Sequence, residues 1–327
     1  MNRKTIILFL ISAGFLLSAC QKNIDIFVPD AGQIGGPDTS WYSTITSTMP
    51  VNDVKNSLLI DTYKDSIQVG SNTSYISAPS GLQCYFPANC CVNNTGQTIT
   101  GSVNVELMLI KKKGDMVRLG RPTTSNGRLL VGGAEIFVRL KKENTEVQLA
   151  PNVKIQARYS EQPISTQLRL FNGDESNAGA FNWLPNTDPN NTFTVTPSYY
   201  EIQSSHLRWF GSDYFYDTTG ISRVSVKAEL ASYFTNANTI AYTVFKDFRS
   251  VVGMYGDIGS KKFSTGLLPV GKAITVVIIS KQGNDYFLGY ENTITAVPSA
   301  GGAPVQSVSV QPVKTSLGNI ITFLNSL

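Results

Sequence analysis

The stretch RPTTSNGRLLVGGAEIFVRL, residues 121–140, decides the fold. Ile136, Val138 and Leu140 recur every second residue, which is the period of a strand with one buried face. Asn126-Gly127 sits just ahead of the run. Both residues tolerate positive φ, so the pair predicts a tight hairpin turn into the strand. Gly132-Gly133 interrupts the strand and predicts a β-bulge or a close backbone approach. It is a poor phosphate cradle, because it lacks the Walker spacing and leads into a strand rather than a helix.

The same signal spreads outward. SVNVELMLI (102–110) alternates Val103, Val105, Leu107 and Leu109 with other residues. VKIQARY (153–159) and VSVKAEL (224–230) alternate likewise. ITVVIIS (274–280) is a continuous β-branched run, the pattern of a strand buried on both faces. Turn-rich segments separate the runs: NNTG (93–96), FNGDESNAG (171–179) and NTDPNN (186–191). One helix is expected, at TSLGNIITFLNSL (315–327), capped by Thr315 or Ser316 with Leu317, Ile321 and Leu324 on one face. The fold class is mainly β: two tandem β-sandwich domains with a short C-terminal helix. The expected divisions are a signal peptide over 1–19, a flexible tether over 20–57, a first sandwich over 58–198 and a second over 199–327.

The N-terminus carries an address. Arg3 and Lys4 precede an almost wholly apolar run from Thr5 to Leu17, too short to span a bilayer comfortably. Leu17-Ser18-Ala19-Cys20 resembles the lipobox of bacterial lipoproteins, in which the Cys thiol receives diacylglycerol and the signal is cut before it. Several acyl chains anchor strongly where one holds only marginally. Gln21, rather than Asp, follows the Cys, so the resemblance implies lipid anchoring at the outer membrane, on a face the sequence does not specify. Residues 21–40, with Pro29, Gly32, Gly35, Gly36 and Pro37, read as the tether.

Cleavage before Cys20 leaves 25 Lys and Arg against 23 Asp and Glu, since the signal holds only Arg3 and Lys4. That near-neutral balance gives no reason to expect nucleic acid as a partner. Three further cysteines remain: Cys84, Cys90 and Cys91. One disulfide from Cys84 to Cys90 or Cys91 is possible in an oxidising compartment, and buried free thiols are the other reading. Their spacing does not suit zinc, and the single histidine, His206, is far away in sequence.

With GLQCYFPANCCV (81–92) and GSVNVELMLI (101–110), the opening stretch resembles a β-sandwich module of zonula-occludens proteins, ankyrins, netrin receptors and many lipoproteins of the Bacteroides group. Pro87-Ala88-Asn89, Thr123 to Gly127 and Gly132-Gly133 match the places of that pattern. FNGDESNAGAFNWLP and HLRWFGSDYF resemble two later aromatic landmarks. In the second, Arg208 and Tyr214 depart from the usual Gly and Arg, while Trp209, Asp213 and Phe215 remain. The resemblance covers about residues 80–217. It implies a sandwich, a second sandwich after it, and protein–protein contact rather than catalysis. Some members cleave themselves at His-Phe-Ser. His206-Leu207-Arg208 lacks that Ser, so autoproteolysis is not implied.

Chemistry is sparsely signalled. There is no Gly-x-Ser-x-Gly elbow. Asp213 and Asp217, beside Trp209, Tyr214, Phe215 and Tyr216, are the best candidates for a carboxylate pair, against packing of those aromatics between the sandwiches. Trp209, Tyr214, Tyr216 and Asp213 are the candidate ligand contacts, since exposed aromatics bind sugars and peptides. The NTDPNN loop lacks the ligand spacing of known calcium loops. Lys111, Lys112, Lys113, Arg118, Arg121 and Arg128 concentrate positive charge over 111–128 and form a candidate partner contact. No catalytic residue, metal or cofactor is expected. The expected function is non-catalytic: a protein-interaction or envelope-structural module touching the membrane through its lipid. The alternative is a carbohydrate-binding lipoprotein of a glycan-uptake system.

Overall fold

The computed structural model describes residues 38–176, 180–298 and 303–327. The expected signal peptide, Cys20 and the expected tether as far as residue 37 lie outside the described residues. The chain is mainly β, with three short helices among the described residues, the last near its C-terminus.

The first sandwich has a large sheet in the order β1 (Tyr63–Val69), β5 (Gly101–Ile110), β7 (Arg128–Lys142), β15 (Arg208–Phe215), β11 (Arg169–Asp174), β12 (Asn182–Pro185). Two short strands, β6 (Thr124–Ser125) and β8 (Thr145–Glu146), pair with β7. Facing it is a sheet in the order β13 (Thr192–Val195), β14 (Tyr200–Ser204), β10 (Ile155–Tyr159), β3 (Gln83–Phe86), β2 (Ser74–Ser77). A small ladder joins β4 (Cys91–Val92) to β9 (Gln148–Leu149). The second sandwich is one long path: β22 (Val305–Ser309), β16 (Arg223–Glu229), β19 (Lys262–Pro269), β18 (Val251–Asp257), β17 (Thr239–Phe245), β20 (Ala273–Gln282), β21 (Asp285–Ile294), β23 (Val313–Thr315). The expected division at 198/199 differs from this arrangement. β14 and β15 follow it in sequence yet complete the first sandwich, because their apolar residues Tyr200, Ile202 and Phe210 enter its core.

Three apolar cores result. Ile136, Val138 and Leu140 of β7 point into the first sandwich with Val105, Ala157 and Ile202. Val226, Ile274, Val276, Ile278 and Val308 fill the second. Between the sandwiches, Phe137, Trp183 and Trp209 meet Ile240, Tyr242, Val277 and Ile279. β20 is therefore covered on both faces, as its unbroken run of β-branched residues predicts. β7 differs from the simple alternation: Glu135 and Phe137, on the face opposite Ile136, are buried as well, because this middle layer covers them.

Helices occupy the middle layer. α1 (Pro50–Leu58) buries Val51, Val54 and Leu58 and starts on a proline. It lies in the segment expected to be tether. The i, i+3, i+7 spacing and the N-terminal Pro are local helix signals. α2 (Lys113–Leu119) replaces the expected cationic loop. α3 (Leu317–Asn325) is capped by Ser316, whose Oγ accepts the Asn319 N–H at 3.2 Å, and buries Ile320 and Leu324. The α2–α3 contact needs a glycine: a Cβ on Gly114 would lie 1.8 Å from the Leu324 carbonyl oxygen. Residues Thr39–Leu327 form one compact unit. Among the described residues no helix is long and apolar enough to cross a membrane, which says nothing of strands.

The turn and the bulge fall where the sequence predicts them. Asn126 and Gly127 have φ of 48° and 76° and join β6 to β7. The β7–β15 register slips between Ser212 and Asp213, leaving Gly133 unpaired. A Cβ there would meet the Ser212 carbonyl at 2.5 Å, so glycine is required by contact as well as by the bulge.

Candidate functional site

The 206–217 stretch was the leading candidate for ligand contact. β15 alternates its side chains between two buried layers. Trp209 joins the middle layer, 4% exposed, with its ring 5.0 Å from Phe137 and under the Arg121 guanidinium at 4.7 Å. Phe210 enters the first core. Trp209 therefore offers no platform to a ligand. Tyr214 packs on the first core and Phe215 on the middle layer. Tyr216, also half-buried, stacks on Phe248. Asp217 is exposed and binds its own backbone at Thr219. His206 is exposed, and its backbone is tied to Ser204.

Asp213 is fully buried, and so is Glu135. Sequence reading missed Glu135, because in a period-two strand it falls on the face expected to meet water. Both carboxyls emerge on the middle-layer face of adjacent strands. Gly211, directly opposite Glu135, leaves room beside Asp213: a Cβ on Gly211 would sit 3.4 Å from Asp213 Oδ2. No oxygen of either carboxyl has a geometrically sound hydrogen bond. Burial pushes Asp213 up to about 8, with nearby Arg249 and the adjacent Gly133 N–H acting against it. Burial also pushes Glu135 well above the carboxylate range, and Asp213 adds to the effect. Arg249 itself is engaged by Glu161 and the Gly133 carbonyl. The acid pair lines none of the hollows described next, so it is sealed from a substrate.

Those hollows form a cleft over the middle layer. The first, about 300 Å³, is lined by Tyr42, Ile45, Lys55, Tyr242, Tyr255 and Ile258 among others. The second, also about 300 Å³, shares Lys55, Phe181 and Tyr242 with it and adds Leu59, Arg118, Arg121 and Glu175. The third, about 530 Å³, continues past Phe181, Gly253 and Tyr255 to Asn126, Asp174 and Leu267. Volumes of this size suit small ligands or a few residues of a chain. Charge in the second hollow is partly spent. Arg121 pairs with Glu175 at 2.8 Å, and Arg118 donates to the Leu58 carbonyl at 3.0 Å. Lys55 has no such partner among the described residues, and the protein around it lowers its ammonium pKa by desolvation.

The expected cationic contact over 111–128 is largely internal. Lys111 donates to Ser160 O at 2.5 Å and Lys113 to Phe245 O at 2.6 Å. Arg128 lies over the Phe215 ring at 3.7 Å. Lys112 is exposed. These cations tie segments together across the middle layer. Asp188, in the NTDPNN loop, accepts the Asn190 N–H at 2.8 Å and closes the loop on itself.

Cys84, Cys90 and Cys91 are free, buried thiols, so no disulfide links them. Burial pushes Cys84 up to about 12. Cys90 and Cys91 touch through their sulfurs at 3.4 Å, and the hydrogen bond between them, with burial, raises Cys91. The same contact lowers Cys90. Cys84 and Cys91, held as thiols, are unreactive core groups, since the thiolate is the nucleophile. Neither a family model nor a curated protein matches this chain.

Proposed function

We propose that this chain is a non-catalytic lipoprotein, anchored at the outer membrane through Cys20, that binds another envelope protein with the cleft beside its middle layer. One observation carries the binding part. Of the twelve large apolar side chains left exposed among the described residues, six line the cleft: Tyr42, Ile45, Leu59, Tyr255, Ile258 and Leu267. Exposed apolar surface gathered in one place marks a contact face. The anchor rests on the Leu17 to Cys20 motif.

The test joins the two claims. Cells making the wild type or a Tyr255→Ser, Ile258→Asp double variant are cross-linked, and captured envelope proteins are compared. The wild type should enrich one envelope protein at least tenfold over the variant, with unchanged circular dichroism. Cys20→Ala should abolish palmitate-analogue labelling. Equal capture by the variant removes the cleft from the function. Tyr42 and Tyr255 border the same hollow, and that pairing favours carbohydrate as the second reading. An oligosaccharide hit on a glycan array, lost in the double variant, would establish it.

A further inference from the structure

The β18–β19 ladder stops early. Its pairs are Tyr255–Ser264, Gly256–Phe263 and Asp257–Lys262. Continued in register, Gly253 would face Gly266 and Val252 would face Leu267, but no pairing occurs there. The cause lies on the other edge of β19. Its register with β16 slips, so that Thr265 and Gly266 oppose Val226 alone. The Thr265 hydroxyl locks this bulge: it accepts the Val226 N–H at 2.9 Å and donates to the Gly266 carbonyl at 2.7 Å. A bulged strand bends away from its neighbour. The third hollow opens in the resulting fork, with Val252, Gly253, Gly266 and Leu267 in its walls.

The hydrogen-bonding direction along β18 follows from its hairpin with β17. Phe245 N–H donates to Ser250 O at 3.0 Å, so the pairs 243/252 and 241/254 carry the next bonds toward β17. Val251, Gly253 and Tyr255 therefore present their backbone groups to the opposite edge. Val251 is taken there by Thr123, and Tyr255 by Ser264. Gly253, in register with Tyr242 of β17, has no ladder partner on this edge among the described residues, and it lines the fork. Both rims carry glycine: Gly266 is exposed and Gly253 half-buried. A Cβ at Gly266 would meet nothing within 4 Å, and one at Gly253 would first meet the Tyr255 side chain, 3.6 Å away. Tyr255 and Leu267 beside the opening are 53% and 48% exposed. Asp174, also in the lining, accepts the Ser176 N–H at 2.9 Å and forms no ion pair with a described cation.

We propose that the fork is a docking slot for an extended peptide segment of the partner, which adds a short strand against Gly253. Its alternate apolar side chains rest on Tyr255 and Leu267, and a basic residue meets Asp174. An unpaired strand edge offers an N–H and a C=O in the spacing of a polypeptide backbone, which a sugar does not reproduce. The single uncompensated carboxylate fixes the sign of the partner's charge by complementarity. This inference rests on the binding-module reading above.

The test uses the full chain in detergent against an array of ten-residue peptides that alternate Val and Thr, with one Lys placed at each position in turn. Matched peptides carry N-methyl groups on alternate amides, which removes backbone donors and leaves the side chains alone. Peptides with Lys near one end should bind. N-methylation in one of the two alternating phases should weaken binding at least tenfold, and Leu267→Asp should do the same without loss of β-sheet dichroism. Hydrogen exchange at the Gly253 amide should slow at least tenfold on binding. Absence of peptide binding, indifference to N-methylation in both phases, or competition by neutral oligosaccharides would each overturn the slot. Self-association that Leu267→Asp abolishes would replace the partner peptide with a second copy of this chain. Capture of the envelope partner by the Leu267→Asp chain would leave the binding module standing and remove the slot. If the wild type captures nothing, the module reading falls, and the array alone decides the slot.

Discussion

The two faces of the large sheet differ in what they bury. Its inner face sets Val103, Val105, Leu107, Ile136, Val138, Leu140 and Phe210 against the facing sheet, with uncharged Ser212 the buried polar side chain among them, bonded to the Tyr159 hydroxyl. Its outer face carries Glu106, Glu135 and Asp213 among Phe137, Trp183 and Trp209. Glu106 is engaged by Arg139 and by Lys141 at 2.9 Å. Glu135 and Asp213 have no such partner. An isolated ionised carboxylate in that setting is costly, so the group keeps its proton instead. The inner face thus supplies stability that is indifferent to pH, and the outer face makes the packing of the sandwiches sensitive to it.

Breaking the inner face should have the largest effect. Phe210→Ala empties a fully buried site and should cost about 3–5 kcal/mol, read from urea unfolding at constant m. A result near 1 kcal/mol would show that the inner core collapses to fill the space. Gly133→Ala should come next, at about 1–3 kcal/mol, because the added methyl meets the Ser212 carbonyl at 2.5 Å and cannot be absorbed by a flexible side chain.

The outer face should answer to pH. Asp213 titrates at about 8 in the fold, far above the ordinary carboxylate value near 4. Between about pH 4 and pH 8 the unfolded chain sheds this proton while the folded chain keeps it. The folded state then binds more protons, so stability falls as pH rises across that window. Asp213→Asn should flatten this fall and raise stability at pH 8 by about 1–3 kcal/mol. The gain stays below the linkage limit of roughly 1.4 kcal/mol per pKa unit, because the Asn amide is also left without a partner. Denaturant midpoints from pH 5 to 9 would measure it. Parallel curves for wild type and variant would mean that the carboxyl is solvated or paired. The smallest effect belongs to the helix that closes the middle layer. Ser316→Ala removes the cap on Asn319 and should cost about 0.5–1 kcal/mol in the same assay.

Much of the fold was legible in local pattern. The strand at 134–140, the turn at Asn126-Gly127, the bulge at Gly132-Gly133 and the two-sided burial of 274–280 are all written in neighbouring residues. The C-terminal helix was legible too, although its buried pair is Ile320 and Leu324 rather than the stripe that includes Leu317 and Ile321. α1 was legible and overlooked: Pro50 with Val51, Val54 and Leu58 outweighs the turn-rich segment before it. The candidate site was much less so. Trp209 drew attention as an aromatic landmark, yet the side chains that line the cleft come from residues as far apart as Tyr42, Leu59, Phe181 and Tyr255.

Hydrophobic period, turn chemistry and the lipobox-like motif depend on residues a few positions apart, and the sequence determines them by itself. Which face of a strand meets water does not have that property. Glu135 reads as solvent-facing by alternation and is sealed because the middle layer closes over it, an event that needs the second sandwich, whose strands lie far along the chain. The same holds for Gly253. Its edge of β18 is open because Thr265, on the next strand, turns to bond Val226 on the strand beyond. Only the assembled sheet decides which backbone groups are left for a partner.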